Sequence, residues 1–400
     1  MTNNALAENN QRMLQLDGLR AIAVCLVFVQ HWHWGLPDFF TSHIHVGAIG
    51  VQLFFVLSGF LITGILLTGR EYVESGHQSA AFTIRQFYVR RFLRIFPLYY
   101  AMLFFLASLG ALGFSIAYVG VTSVLGWHLL YLTNVMGVVN GKIPQIAGHF
   151  WTLAVEEQFY LIWPTVILFI PSRWLKWAIL AMIGISLLYR GLGSPLGLSE
   201  IAVGRQTPTY LTTLGSGALL AYANRNCHVE QVGRWLDRVV LIGLFLMLLG
   251  YLRRWPWNID PVTALAEGIG TPIVFCWLVF RAACGFGGLF GAFLQTRIVK
   301  YLGRISYGLY VIHYPLPFLY REFSRHIYHL PQTLLVGGHA ASFFLYAMTA
   351  NVLASLSWFF FESPINRLKA GFPYRKQNVE TQLTPVVVAT EVAGDARSAS

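Results

Sequence analysis

Arg20 and His31 are two residues whose types and spacing could do chemistry together. Both lie in the first apolar run, and eleven residues of α-helix make three turns plus about 20°, so their side chains point to one face. Arginine binds anions, and histidine can exchange a proton near neutral pH. The pair predicts an anion site linked to a proton-handling group. The competing interpretation is a headgroup anchor for Arg20 and, for His31, an interfacial ring beside Trp32 and Trp34.

Two adjacent carboxylates, Glu156 and Glu157, lie a turn or two inside the fifth apolar run. Ionisable groups inside a membrane are costly, so they are functional candidates by default. Neighbours on a helix point about 100° apart, and we therefore expect only one of the two to meet the first helix. A carboxylate beside a histidine would fix the tautomer of the ring and stabilise the imidazolium. The alternative is a pair of carboxylates that are hydrogen-bonded within a helical bundle.

A third group of polar residues lies near the C-terminus, in the run that begins at residue 300. Ser306, Tyr307, Tyr310 and His313 could line a substrate path. Hydrogen bonding between helices is the competing interpretation, and it is favoured for Ser306 and Tyr310.

The composition indicates that these residues belong to a membrane protein. Of 400 residues, 56% are hydrophobic and only 11% are charged, and the mean hydropathy is +0.56. A soluble domain carries about 25% charged residues. The apolar residues form runs of roughly 20, the length that crosses a bilayer as a helix. We therefore predict an all-α integral membrane protein. The candidate runs lie near 16–34, 47–68, 95–114, 118–137, 150–170, 174–190, 208–224, 238–254, 261–282, 300–320 and 333–361.

The fourth run is the doubtful one, because it contains His128 and Asn134. If it does not span and the N-terminus is cytoplasmic, most of the 28 Lys and Arg residues fall on the cytoplasmic side, as membrane proteins prefer. If the fourth run spans, the basic residues divide evenly between the two sides of the membrane. The sequence thus predicts about ten transmembrane helices with both termini cytoplasmic, and 115–149 as an excursion on the outer face.

Three regions follow from this arrangement: a cytoplasmic N-terminal segment (1–15), a membrane domain (16–370) and a polar cytoplasmic tail (371–400). The net charge of +11 is explained by the bias of cytoplasmic loops, so we expect no nucleic-acid partner. The four cysteines show no zinc-binding spacing, and we expect no metal.

Taken together, the polar segments resemble the acyltransferase 3 family of membrane O-acyltransferases. The matching segments are Leu16-Asp17-Gly18-Leu19-Arg20-Ala21-Ile22-Ala23 with His31, Gly50 to Ile62, the Arg-x-x-Arg of Arg91 and Arg94, Trp151 to Tyr160, Gly303 to Pro315, and Phe361-Glu362-Ser363-Pro364. They occur in this order over about residues 14–370. The resemblance implies a ten-helix membrane domain and a multi-pass location in the bacterial inner (plasma) membrane.

The resemblance also implies the reaction and its residues. The donor would be an acyl-CoA, commonly acetyl-CoA, that enters from the cytoplasm, and the acceptor would be a hydroxyl of a glycan, a lipid-linked sugar or a small molecule. His31 would be the catalytic base or acyl relay, with Glu156 as its supporting carboxylate. Arg20, Arg91 and Arg94 would hold the phosphates of the donor, which suits the paired hydrogen bonds of a guanidinium.

The main rival function is a proton-coupled transporter or flippase, in which the buried His and Glu would form a proton path. The sequence contains no inverted repeat and no pair of interrupted apolar runs in matching halves, and this favours the enzyme.

Overall fold

A computed structural model describes residues 2–32, 45–114, 122–141, 146–253, 260–323 and 339–375, with the backbone alone for 2–14 and 339. All regular structure in these ranges is helical, and they contain no strand. The all-α prediction is therefore confirmed.

The helices are named here in chain order. They are α1 (Thr2–Trp32), α2 (Val46–Glu74), α3 (Ala80–Ala111), α4 (Leu125–Leu129), α5 (Thr133–Val139), α6 (Trp151–Phe169), α7 (Ser172–Gly193), α8 (Glu200–Arg205), α9 (Thr207–Asn226), α10 (Val229–Arg253), α11 (Pro261–Cys284), α12 (Gly288–Leu294), α13 (Arg297–Arg304), α14 (Ser306–His313), α15 (Leu316–Phe323), α16 (His339–Ser357) and α17 (Ser363–Arg367). Short 3₁₀ turns occur at Thr122–Val124, Gly148–Phe150 and Leu368–Gly371, and a π-turn at Trp358–Glu362 joins α16 to α17.

Several helices begin where the sequence supplies a capping side chain. Ser79 accepts a hydrogen bond from the Phe82 amide at the start of α3 (3.1 Å), and Ser199 accepts one from the Ala202 amide at the start of α8 (3.2 Å). Asp260 caps α11 in the same way, and Pro261 follows it at a position where a missing N–H costs nothing.

Six helical segments among the described residues are long and apolar enough to cross a bilayer: α2, α3, α7, α10, α11 and the run Ala340–Gly371. A multi-pass membrane protein is thereby supported. The count of ten spans and the cytoplasmic position of both termini remain predictions.

The fourth apolar run forms no long helix in its described part. It contains a 3₁₀ turn followed by α4 and α5, which have five and seven residues. Neither is long enough to cross the hydrocarbon core. This agrees with the expectation that the segment does not span.

The run predicted over 300–320 is not one continuous helix, which corrects the sequence interpretation. It is divided into α13, α14 and α15, with breaks at Ile305 and at Tyr314-Pro315. Pro315 has no backbone N–H and so cannot continue the hydrogen bonding of α14. The two sides of the first break differ in burial. Helix α13 exposes Arg297 and Arg304, whereas most of α14 is buried.

Helix α1 lies inside the described bundle, in contact with α2, α11, α12, α13, α14 and α16. Ala23, Val24 and Val27 in its middle are fully buried. Helices α2 and α9 also cross at very short range: Gly59 faces the Leu214 carbonyl, and Gly217 faces the Val56 carbonyl. Small residues at such crossings let helix backbones approach within a membrane.

Candidate active site

The last turn of α1 places His31 against His313, the final residue of α14. His31 Nδ1 lies 3.0 Å from His313 Nε2. The other ring nitrogen of His313, Nδ1, donates to the Tyr310 carbonyl at 2.7 Å. Trp32 Nε1 donates to the His313 carbonyl at 3.3 Å, which ties the end of α1 to the end of α14. His313 has no exposed surface, whereas His31 is half-buried.

A third histidine, His149, completes this histidine cluster. Its ring centroid lies 5.3 Å from that of His313, and its Nε2 donates to the Val311 carbonyl at 3.2 Å. Tyr314 stacks on His149 with 4.9 Å between ring centroids and meets His31 edge-on at 4.8 Å. The Tyr314 ring thus lies between two histidines at the break after α14.

The carboxylate of Glu156 lies in a second polar group. Its Oε1 accepts hydrogen bonds from the Ser58 hydroxyl and, at 3.3 Å, from the Tyr160 hydroxyl. The guanidinium of Arg91 lies over the Tyr160 ring at 6.0 Å, and both Arg91 and Arg20 are within electrostatic range of Glu156. The structure therefore brings two of the predicted donor-binding arginines near the predicted carboxylate.

Tyr310 connects the two groups. Its hydroxyl hydrogen-bonds to the Thr152 hydroxyl at 2.5 Å and donates to the His149 carbonyl at 3.1 Å, while its own carbonyl accepts from His313. Thr152 lies one turn before Glu156 on α6. Hydrogen bonds thus join His31 to His313, His313 to the backbone carbonyl of Tyr310, and the Tyr310 side chain to the helix that carries Glu156.

The second carboxylate of the pair has different surroundings. Within the described part of the chain, Glu157 Oε1 is buried and has no hydrogen-bond partner. The two acids therefore face different neighbours, as their angular separation on a helix requires.

Arg20 and Arg94 each lie near a carboxylate other than the Glu156–Glu157 pair. Arg20 forms an ion pair with Asp17, with 2.6 Å between Nη1 and Oδ1. Arg94 is within electrostatic range of Glu362, which accepts a hydrogen bond from Ser357 at 2.9 Å. Arg91 and Arg94 are one turn apart on α3 but act on different carboxylates.

Sequence reasoning missed His149, Ser58 and Tyr160 as members of the site, and it did not pair His313 with His31. His149 and Tyr160 lie in the same segment as Glu156, and Ser58 lies in the matching segment from Gly50 to Ile62, so the motifs already contained these residues. Their contacts could not be predicted, because they join helices far apart in sequence. No group of three His, Cys, Asp or Glu among the described residues could hold a metal ion, and the expectation of no metal remains a prediction.

A family model described as "Acyltransferase domain" matches residues 13–358, which include every predicted site residue. The chain belongs to this acyltransferase family. The resemblance stated from the motifs, and the enzyme class that it implied, are confirmed at the level of the family.

Two curated relatives show what this family member is similar to. The peptidoglycan O-acetyltransferase OatA of Listeria monocytogenes is 27% identical, over 89% of this chain and 56% of the relative. The O-acetyltransferase OatA of Staphylococcus aureus is 28% identical, over 89% of this chain and 57% of the relative. The chain thus spans about half the length of these relatives. No solved structure matches its fold significantly.

Proposed function

We propose that this family member is a membrane O-acyltransferase that moves an acyl group, commonly acetyl, from acyl-CoA to a hydroxyl of a carbohydrate. The observation that carries the proposal is the hydrogen bond that holds His31 inside the bundle, on the same helix as Arg20. The bacterial inner membrane, with the protein crossing it several times, is the proposed location.

Arg20, Arg91 and Arg94 are proposed to bind the phosphates of the donor at the cytoplasmic surface. All three are half-buried, so they combine contact with solvent and contact with the bundle interior. The rise from Arg20 to His31 along α1 is about 16 Å. An extended pantetheine arm has a comparable length, and it would bring the thioester to His31 while the phosphates stay with the arginines.

His31 is proposed to remove the proton of the acceptor hydroxyl as its oxygen attacks the thioester carbonyl. The new C–O bond forms, the C–S bond breaks, and the proton passes through His31 to the departing CoA sulfur. In the alternative course His31 first takes the acyl group itself and then passes it to the hydroxyl. General base catalysis of this kind contributes about 10²–10⁴-fold in rate.

Glu156 is proposed to support this step through its charge. It lies in the polar region that Tyr310 and Thr152 connect to the histidines, and a buried carboxylate would stabilise the imidazolium that forms when His31 takes the proton. Arg91 would balance this carboxylate when no substrate is bound.

The acceptor is proposed to be a hydroxyl of a cell-wall glycan, since the relative from Listeria monocytogenes is named for the O-acetylation of peptidoglycan. Lipid-linked sugars and small molecules remain the other acceptor classes.

One observation favours the transporter alternative. The chain is interrupted between α14 and α15, beside the histidine cluster, and interrupted helices are typical of substrate sites in transporters. Membership of the acyltransferase family favours the enzyme.

The experiment that decides is acyl transfer by the purified protein in nanodiscs. Radiolabelled acetyl-CoA is incubated with peptidoglycan fragments, and released CoA and labelled glycan are both measured. We expect turnover by the wild type and its loss in His31→Ala. His77→Ala is the matched control, because this histidine lies exposed between α2 and α3 and its side-chain contacts among the described residues are local, with Ser75 and Tyr72. A wild-type protein that neither binds nor consumes acetyl-CoA would contradict the proposal.

A further inference from the structure

The hydrogen bonds of His313 determine which of its ring nitrogens carries a proton. Its Nδ1 lies 2.7 Å from the Tyr310 carbonyl oxygen, which can only accept, so Nδ1 must be protonated. In a neutral imidazole the other nitrogen then has the lone pair. His313 Nε2 is therefore an acceptor that points at His31.

The tautomer of His31 follows from that of His313. His31 Nδ1 lies 3.0 Å from this acceptor, and a hydrogen bond between them requires the proton on His31 Nδ1. In the neutral ring the lone pair is then on His31 Nε2, the nitrogen directed away from His313. A general base needs its lone pair on the nitrogen that meets the substrate.

The surroundings of His313 make it a rigid support. The ring is completely buried, and Phe28 and Tyr310 pack against it with 5.2 and 5.4 Å between ring centroids. Its carbonyl accepts from Trp32, the residue after His31. Since the same two helix ends are joined by a ring contact and a backbone contact, His31 has little freedom to rotate away.

We propose that His313 is the positioning residue of His31: it selects the tautomer with the lone pair on Nε2 and orients the ring. The inference deepens the proposed function and rests on it. The role resembles that of the carboxylate in a catalytic triad, but a neutral acceptor performs it. When His31 takes up a proton, its hydrogen bond to His313 becomes charge-assisted and stronger, so the support is greatest in the transition state.

Two conservative variants separate the two hydrogen bonds of His313. The amide of Gln places its oxygen near the position of Nε2, so His313→Gln keeps an acceptor for His31 and loses the bond to Tyr310. The amide of Asn lies near the position of Nδ1, so His313→Asn keeps the bond to Tyr310 and loses the acceptor. We expect kcat to fall about 10²-fold in His313→Asn, with an unchanged KM for acetyl-CoA, and to be largely retained in His313→Gln.

The tautomer itself is measured by ¹⁵N NMR of the protein labelled at histidine, with the His31 signals assigned from their loss in His31→Ala. We expect protonated Nδ1 and unprotonated Nε2 for His31 in the wild type and in His313→Gln, and a shift of the proton toward Nε2 in His313→Asn. A wild-type His31 protonated on Nε2 would overturn the inference, even if neither variant folds. Wild-type kcat in His313→Asn would also overturn it.

Failure of the proposed function gives a different result. If His31→Ala keeps normal turnover, His31 is not the base and the proposed mechanism fails. If His31→Ala is inactive while His313→Asn is fully active, the mechanism stands and only the positioning role of His313 is lost.

Discussion

The hydroxyl groups of Thr152 and Tyr310 form a hydrogen bond at 2.5 Å between α6 and α14, where both side chains are buried. Tyr310 bonds through its carbonyl to His313, and Thr152 precedes Glu156 by one turn. The bond therefore joins the helix that supports the histidine cluster to the helix that carries the carboxylate, although the two helices are far apart in sequence.

Replacing Thr152 with Val should weaken both the fold and the reaction. The variant leaves the buried Tyr310 hydroxyl with only the His149 carbonyl as partner, and we expect a loss of about 1–2 kcal/mol in the free energy of unfolding and a lower kcat. Thr152→Ser keeps the hydroxyl and should stay close to the wild type. Thermal unfolding in detergent and turnover of acetyl-CoA measure the two effects. Equal kcat in the Val and Ser variants would show that this bond does not support catalysis.

The two carboxylates of α6 should differ in their effect on turnover. Glu156→Gln removes the negative charge of the carboxylate that accepts hydrogen bonds from Ser58 and Tyr160. We expect kcat to fall at least about 10²-fold, as when an active site loses a group that stabilises charge in the transition state. Glu157→Gln changes the adjacent carboxylate, which lacks these contacts, and should lower kcat less. The comparison uses kcat at saturating acetyl-CoA. An effect of the same size in both variants would point to a general loss of charge rather than to a role of Glu156.

Membrane class and helical content could be predicted from the sequence, and so could most residues of the candidate site, because these depend on local composition and on spacing along one helix. Arg20 and His31 share α1, and this geometry is fixed by the helical repeat. The partner of His31 could not be predicted in this way. His313 is brought to it by the break at Tyr314-Pro315, which ends α14 against the last turn of α1.

The division of the run 300–320 was also beyond the sequence pattern. The sequence showed one uninterrupted candidate run, and Pro315 alone is compatible with a kinked but continuous helix. Two residues before the break at Ile305, Gly303 lies so close to the Asp17 carbonyl that α13 packs directly against α1. Such a contact is a property of two helices and leaves no periodic signal in either.

The predicted donor site can be tested at Arg91. We expect Arg91→Ala to raise the KM for acetyl-CoA roughly 10–100-fold, since a hydrogen bond to a charged group contributes about 1.5–3 kcal/mol. Arg91→Lys keeps the charge but not the paired geometry and should give an intermediate KM. Arg173→Ala, at an exposed position in the first turn of α7, is the control. An unchanged KM in Arg91→Ala would remove this arginine from the donor site.

The crossing of α2 and α9 should be sensitive to a single methyl group. A Cβ at Gly59 would meet the Leu214 carbonyl, so Gly59→Ala must push the helices apart, and we expect a loss of about 1–3 kcal/mol in stability. Gly64→Ala is the matched control on the same helix, because its Cβ would have nothing within 4 Å. It should be neutral or slightly stabilising, as alanine favours a helix. Equal melting temperatures of the two variants would contradict the close crossing.

The ten-span arrangement makes a prediction about sidedness that the alternative reverses. Ser75 lies exposed between α2 and α3, before the fourth run, and Ser194 lies exposed after α7, beyond it. If the fourth run does not span, Ser75 is cytoplasmic and Ser194 is on the outer face. If it spans, both are cytoplasmic.

Single cysteines at these two positions decide between the arrangements. Each is introduced into a chain in which Cys25, Cys227, Cys276 and Cys284 are replaced by alanine, because three of the native thiols are exposed. In intact cells an impermeant maleimide should label Ser194→Cys and spare Ser75→Cys, and both should react after the membrane is opened. Protection of both positions would place a span between Phe114 and His149. Labelling of Ser75→Cys would put Arg91 and Arg94 outside the cell, where CoA cannot reach them, and the proposed enzyme would then have no donor.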